Sequence, residues 1–183
     1  MRSGNGEEKE PKNRTVDNDL YLGMLKDLLA EGKSVSLVIS GGSMTPFVVH
    51  ARDSVFLEPA PPDVGRTSAA SADRAKTSRE SVKLKRGDVV FYQRDNGMYV
   101  LHRIVRIAPD GSYVLCGDAQ TILESGVCRE QIFARAAAVR RKGKVKKPGS
   151  LYWFFFAQIW SRIIPFRRQI LHVYTLIHRG LGG

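Results

Sequence analysis

The sequence contains few residues of the kinds that form disulfides or metal sites. Its 183 residues include only two cysteines, Cys116 and Cys128. Two cysteines are too few for a disulfide framework, and because they do not form a CxxC pair they do not indicate zinc or dithiol redox chemistry. We interpret both as ordinary thiols, although one bridge between them stays open. His172 and His178 do not share a helical face and lack a nearby carboxylate, so we expect no metal site. Phosphate-binding glycine loops are absent too, and we expect no cofactor.

Long hydrophobic runs are also missing at both ends of the chain. Residues 1–16 are polar and lack the apolar region of a secretory signal, so we expect a disordered tail and no N-terminal membrane anchor. The C-terminal part is rich in aromatic and aliphatic residues but is interrupted by arginines. Its uncharged stretch, Gly149 to Ser161, is shorter than the roughly 20 residues that span a bilayer. A segment that lies on a membrane surface fits this pattern better than a membrane-spanning helix.

The remaining pattern predicts one mainly β domain. A hydrophobic content of 43% with 26% charged residues is ordinary for a globular protein. An amphipathic helix is expected from Asp17 or Asn18 to Gly32, because apolar residues recur at helical spacing at Leu20, Met24, Leu25, Leu28 and Leu29. The following SVSLVIS predicts a buried strand, and a short strand is expected at Ser54 to Leu57. Four more β-rich segments between residues 87 and 141 predict a mostly antiparallel sheet.

We place this domain at residues 17–141 and expect three segments to lie outside its packed core. The first is the tail of residues 1–16. The second is residues 60–84, which are dominated by Ala, Ser, Pro and charged residues and predict a disordered insertion. The third is residues 142–183, a basic and aromatic segment that is expected to be helical and amphipathic.

The net charge of +11 suggests an anionic partner. A basic run, Arg140 to Lys147, precedes the aromatic segment, and each charge near an anionic leaflet adds about 1 kcal/mol of attraction. Two interpretations stay open: residues 140–179 contact an anionic membrane surface, or a terminal helix pair packs on the β-domain. We favour membrane contact. Nucleic-acid binding is disfavoured because the basic run has no interleaved aromatic residues for base stacking.

Three residues in separate segments are candidates for catalysis. The sequence GGSMTP places Ser43 after two glycines, which permit a sharp turn and close approach of a peptide backbone. His102 interrupts an alternating strand, LHRIVRI, and histidine is the usual base at neutral pH. Asp118 follows Gly117 at the end of another predicted strand. Taken singly, each of these features is usually structural, so only their combination points to chemistry.

The order of these motifs resembles the signal peptidase family. In that family a box of the form SGSMxPT precedes an acidic residue, GDVVxF, a strand with the base, and GD. The matches here are GGSMTPF from Gly41, Arg52-Asp53, GDVVFY from Gly87, LHRIV from Leu101 and GDAQ from Gly117, within residues 35–141. Histidine at position 102 resembles the Ser-His branch known from archaea, the endoplasmic reticulum and some bacteria, not the Ser-Lys type. The resemblance implies a signal-peptidase-like antiparallel β-domain.

The resemblance also implies a serine endopeptidase that cleaves a signal, leader or precursor peptide with small residues near the scissile bond. Ser43 would attack the carbonyl, His102 would accept its proton, and a downstream carboxylate would orient the imidazole. Asp118 matches the family's GD aspartate and is favoured for this role, while Glu124 stands where the family has a further Asp. Gly41 replaces a serine that helps bind the oxyanion, which leaves the Ser43 N–H as the main donor. Phe47 replaces the usual Thr.

Other interpretations of the chain stay open. A self-cleaving repressor would need a helix-turn-helix domain, for which the single helix before Val35 is too little. An inactive signal-peptidase-like fold could act as a basic module that binds membrane or nucleic acid. His50 is expected to be an exposed loop residue. For the location we expect peripheral membrane association, with a cytoplasmic protein as the alternative.

Overall fold

The computed structural model describes the backbone of residues 14–61 and 83–180, and the side chains of residues 21–61, 83–173 and 176. The elements are, in chain order, α1 (Arg14–Ala30), β1 (Val35–Val38), β2 (Ser54–Pro59), β3 (Val89–Gln93), β4 (Tyr99–Ile107), β5 (Tyr113–Cys116), β6 (Glu124–Val127), a 3-10 turn (Arg129–Gln131), β7 (Ile132–Arg141), β8 (Lys144–Lys146), α2 (Leu151–Phe154), a π-helical turn (Phe155–Trp160), a 3-10 turn (Ile164–Phe166) and α3 (Arg167–Gly180). We call residues 151–180 the C-terminal helices.

The strands form one antiparallel sheet. Its order is β1-β2-β7-β3-β4-β5-β6, and β8 pairs with β7. Every pairing is antiparallel. The prediction of a mainly β, antiparallel fold with an N-terminal helix and C-terminal helical segments is confirmed.

Apolar residues pack on both faces of the sheet. Successive side chains of a strand point to opposite faces. In β3, Val89 and Phe91 accordingly join a larger cluster, while Val90 and Tyr92 join a smaller one. The larger cluster is covered by α1 and by three aromatic residues of the C-terminal helices, Trp153, Phe156 and Trp160. The predicted domain boundary at residue 141 therefore cuts through a single core.

Helix α1 begins earlier than predicted, because residues 14–16 are helical; residues 1–13 of the expected tail lie outside the described residues. Its end is as expected. Gly32, with φ of +84°, lets the chain turn so that its N–H donates to Leu29 O at 3.0 Å. Among the described side chains of α1, residues 21–30, Leu25 and Leu29 are buried. Met24, which was expected on the apolar face, is 52% exposed.

Two other local predictions need correction. The strand β1 was expected to be buried, but its side chains alternate between half-buried and exposed, because it lies at the edge of the sheet. Most of the expected insertion, residues 62–82, lies outside the described residues. Its two ends belong to the packed body: Ala60 N–H donates to Phe133 O at 3.0 Å, and Leu84 is buried in the smaller cluster.

Candidate active site

Ser43 lies in the loop between β1 and β2, residues 39–53, which we call the serine loop. Asp53 joins the two ends of this loop. The Asp53 carboxylate accepts the Val49 N–H at 2.9 Å, and the Asp53 carbonyl oxygen accepts the Ile39 N–H at 3.1 Å. Asp53 is almost fully buried. Burial alone would raise the pKa of its carboxyl, but hydrogen bonds from Arg52 and Val49 outweigh burial, so the pKa is lowered and the carboxylate stays charged. These hydrogen bonds hold the two ends of the serine loop together.

Two contacts fix the backbone next to Ser43. Gly41 has a φ of +91°, which favours glycine, and its N–H donates to His50 Nδ1 at 2.9 Å. The Ser43 carbonyl oxygen accepts the N–H of Ala119 at 2.8 Å, from the loop between β5 and β6. Among the described residues, the Ser43 N–H has no protein acceptor. That donor is therefore available to an oxygen of a bound ligand.

Ser43 and His102 line the same cleft. The cleft has a volume of about 350 Å³, and its walls come from α1, β1, β3, β4 and the serine loop. Most of its lining is apolar, including Leu22, Leu37 and Leu101. No hydrogen bond joins Ser43 Oγ to His102 within the described part of the chain. In enzymes without a bound ligand, catalytic hydrogen bonds are often long or poorly aligned, so this observation does not exclude the pair.

His102 is held from its Nδ1 side. It lies on β4 opposite Val90 of β3 and is 1% exposed. Its Nδ1 is 3.0 Å from Glu124 Oε1 and 3.3 Å from the Tyr92 hydroxyl oxygen. Both partners lie at Nδ1, and the other ring nitrogen, Nε2, has no hydrogen-bond partner among the described residues. A base oriented through Nδ1 by a carboxylate is the arrangement that hydrolytic triads use.

Glu124 is itself held by two side chains, those of Tyr92 in β3 and of Arg94 just after it. The Tyr92 hydroxyl donates to Oε2 at 2.7 Å, Arg94 Nε donates to the same oxygen at 2.8 Å, and a second Arg94 nitrogen bonds to Oε1. Burial acts to raise the pKa of Glu124, but the hydrogen bonds from Arg94 and Tyr92 and the proximity of His102 outweigh it and lower the pKa. Glu124 is therefore a carboxylate at neutral pH.

Burial also determines the charge state of His102. Burial lowers the pKa of His102 from its ordinary 6.5 to about 4, although nearby Glu124 acts in the opposite direction. The imidazole is therefore neutral at pH 7 and can accept a proton. The same carboxylate would stabilise the imidazolium that proton transfer creates.

Asp118, the carboxylate favoured from the sequence, is engaged elsewhere. It forms a bidentate pair with Arg103, with distances of 3.0 and 2.7 Å, and both side chains are fully buried. Asp118 also lies 3.9 Å from a nitrogen of the buried Arg167. Among the described residues, Glu124 is the carboxylate that contacts the imidazole. The preference for Asp118 in that role is corrected.

The C-terminal helices support the two loops that meet at Ser43. Trp160 Nε1 donates to Asp118 O at 2.8 Å, and Arg167, which is fully buried, donates to Gly117 O at 2.9 Å and to Gln120 O at 3.2 Å. Ala119, which contacts Ser43, lies in this same loop. The helices are thus part of the framework of the site.

Phe47 connects the serine loop to the same helices. Its ring stacks on Tyr152 with centroids 5.5 Å apart and makes edge contacts with Trp153 and Phe156 at 5.2 and 5.1 Å. The Arg103 guanidinium lies 4.5 Å from the same ring. No role was predicted for this residue. It packs the loop that carries Ser43 against the core.

Sequence reasoning missed Tyr92 and Arg94. The alternation of β3 contained a usable signal, because Val90 pairs with His102 and Tyr92 is the next residue on the same face. Using that signal required the register of the two strands, which the sequence alone does not give. Cys116 is buried, Cys128 is exposed, and both are free thiols. In the described ranges no group of three His, Cys, Asp or Glu residues is placed to hold a metal ion.

The chain was compared with protein-family models, with curated proteins and with solved structures. None of the three comparisons gives a match.

Proposed function

We propose that this protein is a serine endopeptidase of the signal-peptidase type. The observation that carries the proposal is the shared cleft: Ser43 and His102 both line it, and His102 Nδ1 lies 3.0 Å from the carboxylate of Glu124. A serine hydroxyl needs a base to act as a nucleophile at neutral pH. The neutral, buried imidazole of His102 meets that need. The order of the sequence motifs supports the same reaction class independently of this geometry.

In the proposed reaction, Ser43 Oγ attacks the carbonyl carbon of the scissile peptide bond while His102 Nε2 takes the hydroxyl proton. The imidazolium then gives this proton to the leaving amine, and an acyl-enzyme ester remains on Ser43. Water, deprotonated by His102, hydrolyses the ester and restores the free serine. Glu124 orients the ring and stabilises its charged form throughout.

The oxyanion formed in each step needs a hydrogen-bond donor. The Ser43 N–H, which has no acceptor among the described residues, is the candidate for this role. Gly41 contributes no hydroxyl there. One donor stabilises the transition state less than two, so we expect a slow enzyme unless the substrate or a further residue supplies a second donor.

The test is cleavage of peptides that have small residues before the cut site, followed by mass spectrometry in detergent and in lipid. We expect cleavage by the wild type, and a loss of several orders of magnitude in Ser43→Ala and in His102→Ala. The double variant should be little worse than either single one, because the members of such a unit act together.

Two variants serve as matched controls. Ser40→Ala removes another serine hydroxyl from the lining of the same cleft, and His172→Ala removes an exposed histidine. Both should retain wild-type cleavage. Activity that persists unchanged in Ser43→Ala would eliminate the mechanism. Absence of cleavage for every peptide tested would favour the inactive fold.

A further inference from the structure

We infer that the outer face of the C-terminal helices is a docking surface for an anionic lipid bilayer. Within the described residues, sixteen large apolar side chains are exposed, and eight of them lie between residues 151 and 176. This concentration is unusual, because soluble monomers normally scatter such residues. The inner face of the same helices is already occupied by the core. The outer face therefore requires its own explanation.

Helix α3 has two separate apolar stripes. Arg167 is buried and Leu171 packs against the larger cluster, so the positions i and i+4 define the inner stripe. Ile170, Val173 and Leu176 are 40%, 53% and 55% exposed. At about 100° per residue these three positions span about 120° on a different side of the helix. They form a second apolar stripe on α3 that does not face the core.

The segment before α3 repeats this division. Trp153, Phe156 and Trp160 point into the core. Three residues at intervals of four are exposed: Leu151 by 88%, Phe155 by 40% and Ile159 by 47%. The neighbouring Phe154 and, further along, Phe166 are exposed as well. We call the exposed apolar residues of 151–176 the outer stripe. It is rich in aromatic residues, which favour the membrane interface.

The positive charge of this part of the chain indicates an anionic partner for the outer stripe. Residues 131–183 contain eleven Lys and Arg residues and no Asp or Glu, whereas the first 130 residues contain eighteen of each sign. The whole net charge of +11 therefore belongs to this last part of the chain. In the sequence, exposed basic residues precede the outer stripe at Lys144 and Lys147 and lie within its range at Arg162 and Arg168.

An anionic bilayer satisfies both properties of this surface. Its acyl boundary can accept the apolar side chains, and its headgroups can neutralise the surrounding cations. A second copy of the chain would bring an identical positive charge against the first. A nucleic acid would neutralise the cations but would leave the aliphatic side chains without a partner. The proposal is independent of the peptidase chemistry.

The experiment is flotation of the full chain with vesicles of neutral phosphatidylcholine, or of the same lipid mixed with anionic phosphatidylglycerol. Binding should require the anionic lipid. It should weaken as salt is raised from about 0.1 M to about 1 M, because the screening length falls from about 10 Å to about 3 Å.

An apolar variant tests the stripe itself. Combined Phe154→Gln, Ile170→Gln and Val173→Gln should lower the partition coefficient about ten-fold or more. Its matched control changes three exposed apolar residues elsewhere, through Met24→Gln, Ile107→Gln and Ile122→Gln, and should bind like the wild type.

A second pair of variants tests the charges. Lys144→Gln with Lys147→Gln removes two exposed cations that precede the outer stripe in the chain. It should lower anionic binding roughly 25-fold, at about five-fold per charge. Lys83→Gln with Lys85→Gln removes two exposed cations elsewhere and should have little effect. Far-UV circular dichroism and the melting temperature establish that each variant is folded.

Three results would overturn the inference. One is equal vesicle binding by the folded stripe variant and the wild type. Another is failure of the folded wild type to bind anionic vesicles at low salt. The third is self-association in sedimentation velocity that the stripe variant abolishes while vesicle binding is absent, which would make the face an interface between copies.

Discussion

The division of labour between Glu124 and Asp118 can be tested by replacing each carboxylate with its amide. Glu124→Gln removes the negative charge 3.0 Å from His102 Nδ1, and loss of the corresponding carboxylate in a hydrolytic triad costs up to about 10⁴-fold in turnover. We therefore expect a fall of about 10² to 10⁴ in kcat. Because the Glu124 side chain is 22% exposed, water screens the lost interaction, and the stability cost should be about 1 kcal/mol or less.

Asp118→Asn should show the opposite profile. Asp118 and Arg103 are both fully buried, and breaking such a pair costs about 3–5 kcal/mol. Since asparagine can still accept one hydrogen bond, we take the lower end, about 3 kcal/mol. In a chain of this size that corresponds to a fall in melting temperature of about 6–12 °C. The kcat of the folded fraction should stay within about ten-fold of the wild type, because Asp118 does not touch the imidazole.

The assay combines peptide cleavage with thermal unfolding of the same preparations. Arg103→Met, measured alongside, should destabilise the protein about as much as Asp118→Asn, since it removes the other half of the buried pair. The reasoning is refuted if Asp118→Asn keeps its melting temperature and loses activity by orders of magnitude while Glu124→Gln retains activity. The unfolding measurements remain informative even without a substrate.

Four further outcomes are expected. The acid limb of kcat/KM should have its midpoint near pH 4, because burial lowers the pKa of His102 to about 4. Between pH 6.5 and about pH 4, the unfolded chain binds a proton at His102 that the folded chain does not bind. The free energy of unfolding should therefore fall as the pH falls. Denaturation at several pH values, compared between the wild type and His102→Gln, checks this. Gly117→Ala should reduce cleavage far more than Gly42→Ala, because a Cβ at residue 117 would lie 2.6 Å from the carbonyl oxygen of the proposed nucleophile, whereas residue 42 has open space. Trp160→Ala should cost about 3–5 kcal/mol in chemical denaturation, against under about 1 kcal/mol for exposed Phe154→Ala.

The strands and the N-terminal helix could be predicted because their signals are local. The alternation of LHRIVRI and the glycine after α1 depend on neighbouring residues alone. The choice between two carboxylates could not be made locally. Glu124 pairs with Leu115, which in turn pairs with Ile104, the next residue on the face of His102. Only the register of three strands reveals this.

The role of the C-terminal helices could not be predicted from the sequence either. Their aromatic content predicted burial against something, either the β-domain or a membrane. Packing on the β-domain describes the inner face of the helices. Membrane contact stays a proposal for the outer face. A single sequence does not reveal which stripe faces the core, since that depends on where Phe47 and the sheet present an apolar surface.

The buried guanidinium of Arg167 makes the site and the last helix mechanically inseparable. It donates to two carbonyl oxygens of the loop that contacts Ser43, and it is the first residue of α3. A tilt of α3 at its outer surface would shift these donors and, through Ala119, the carbonyl of Ser43. The position of Ser43 is therefore coupled to the position of α3 through two hydrogen-bonded steps.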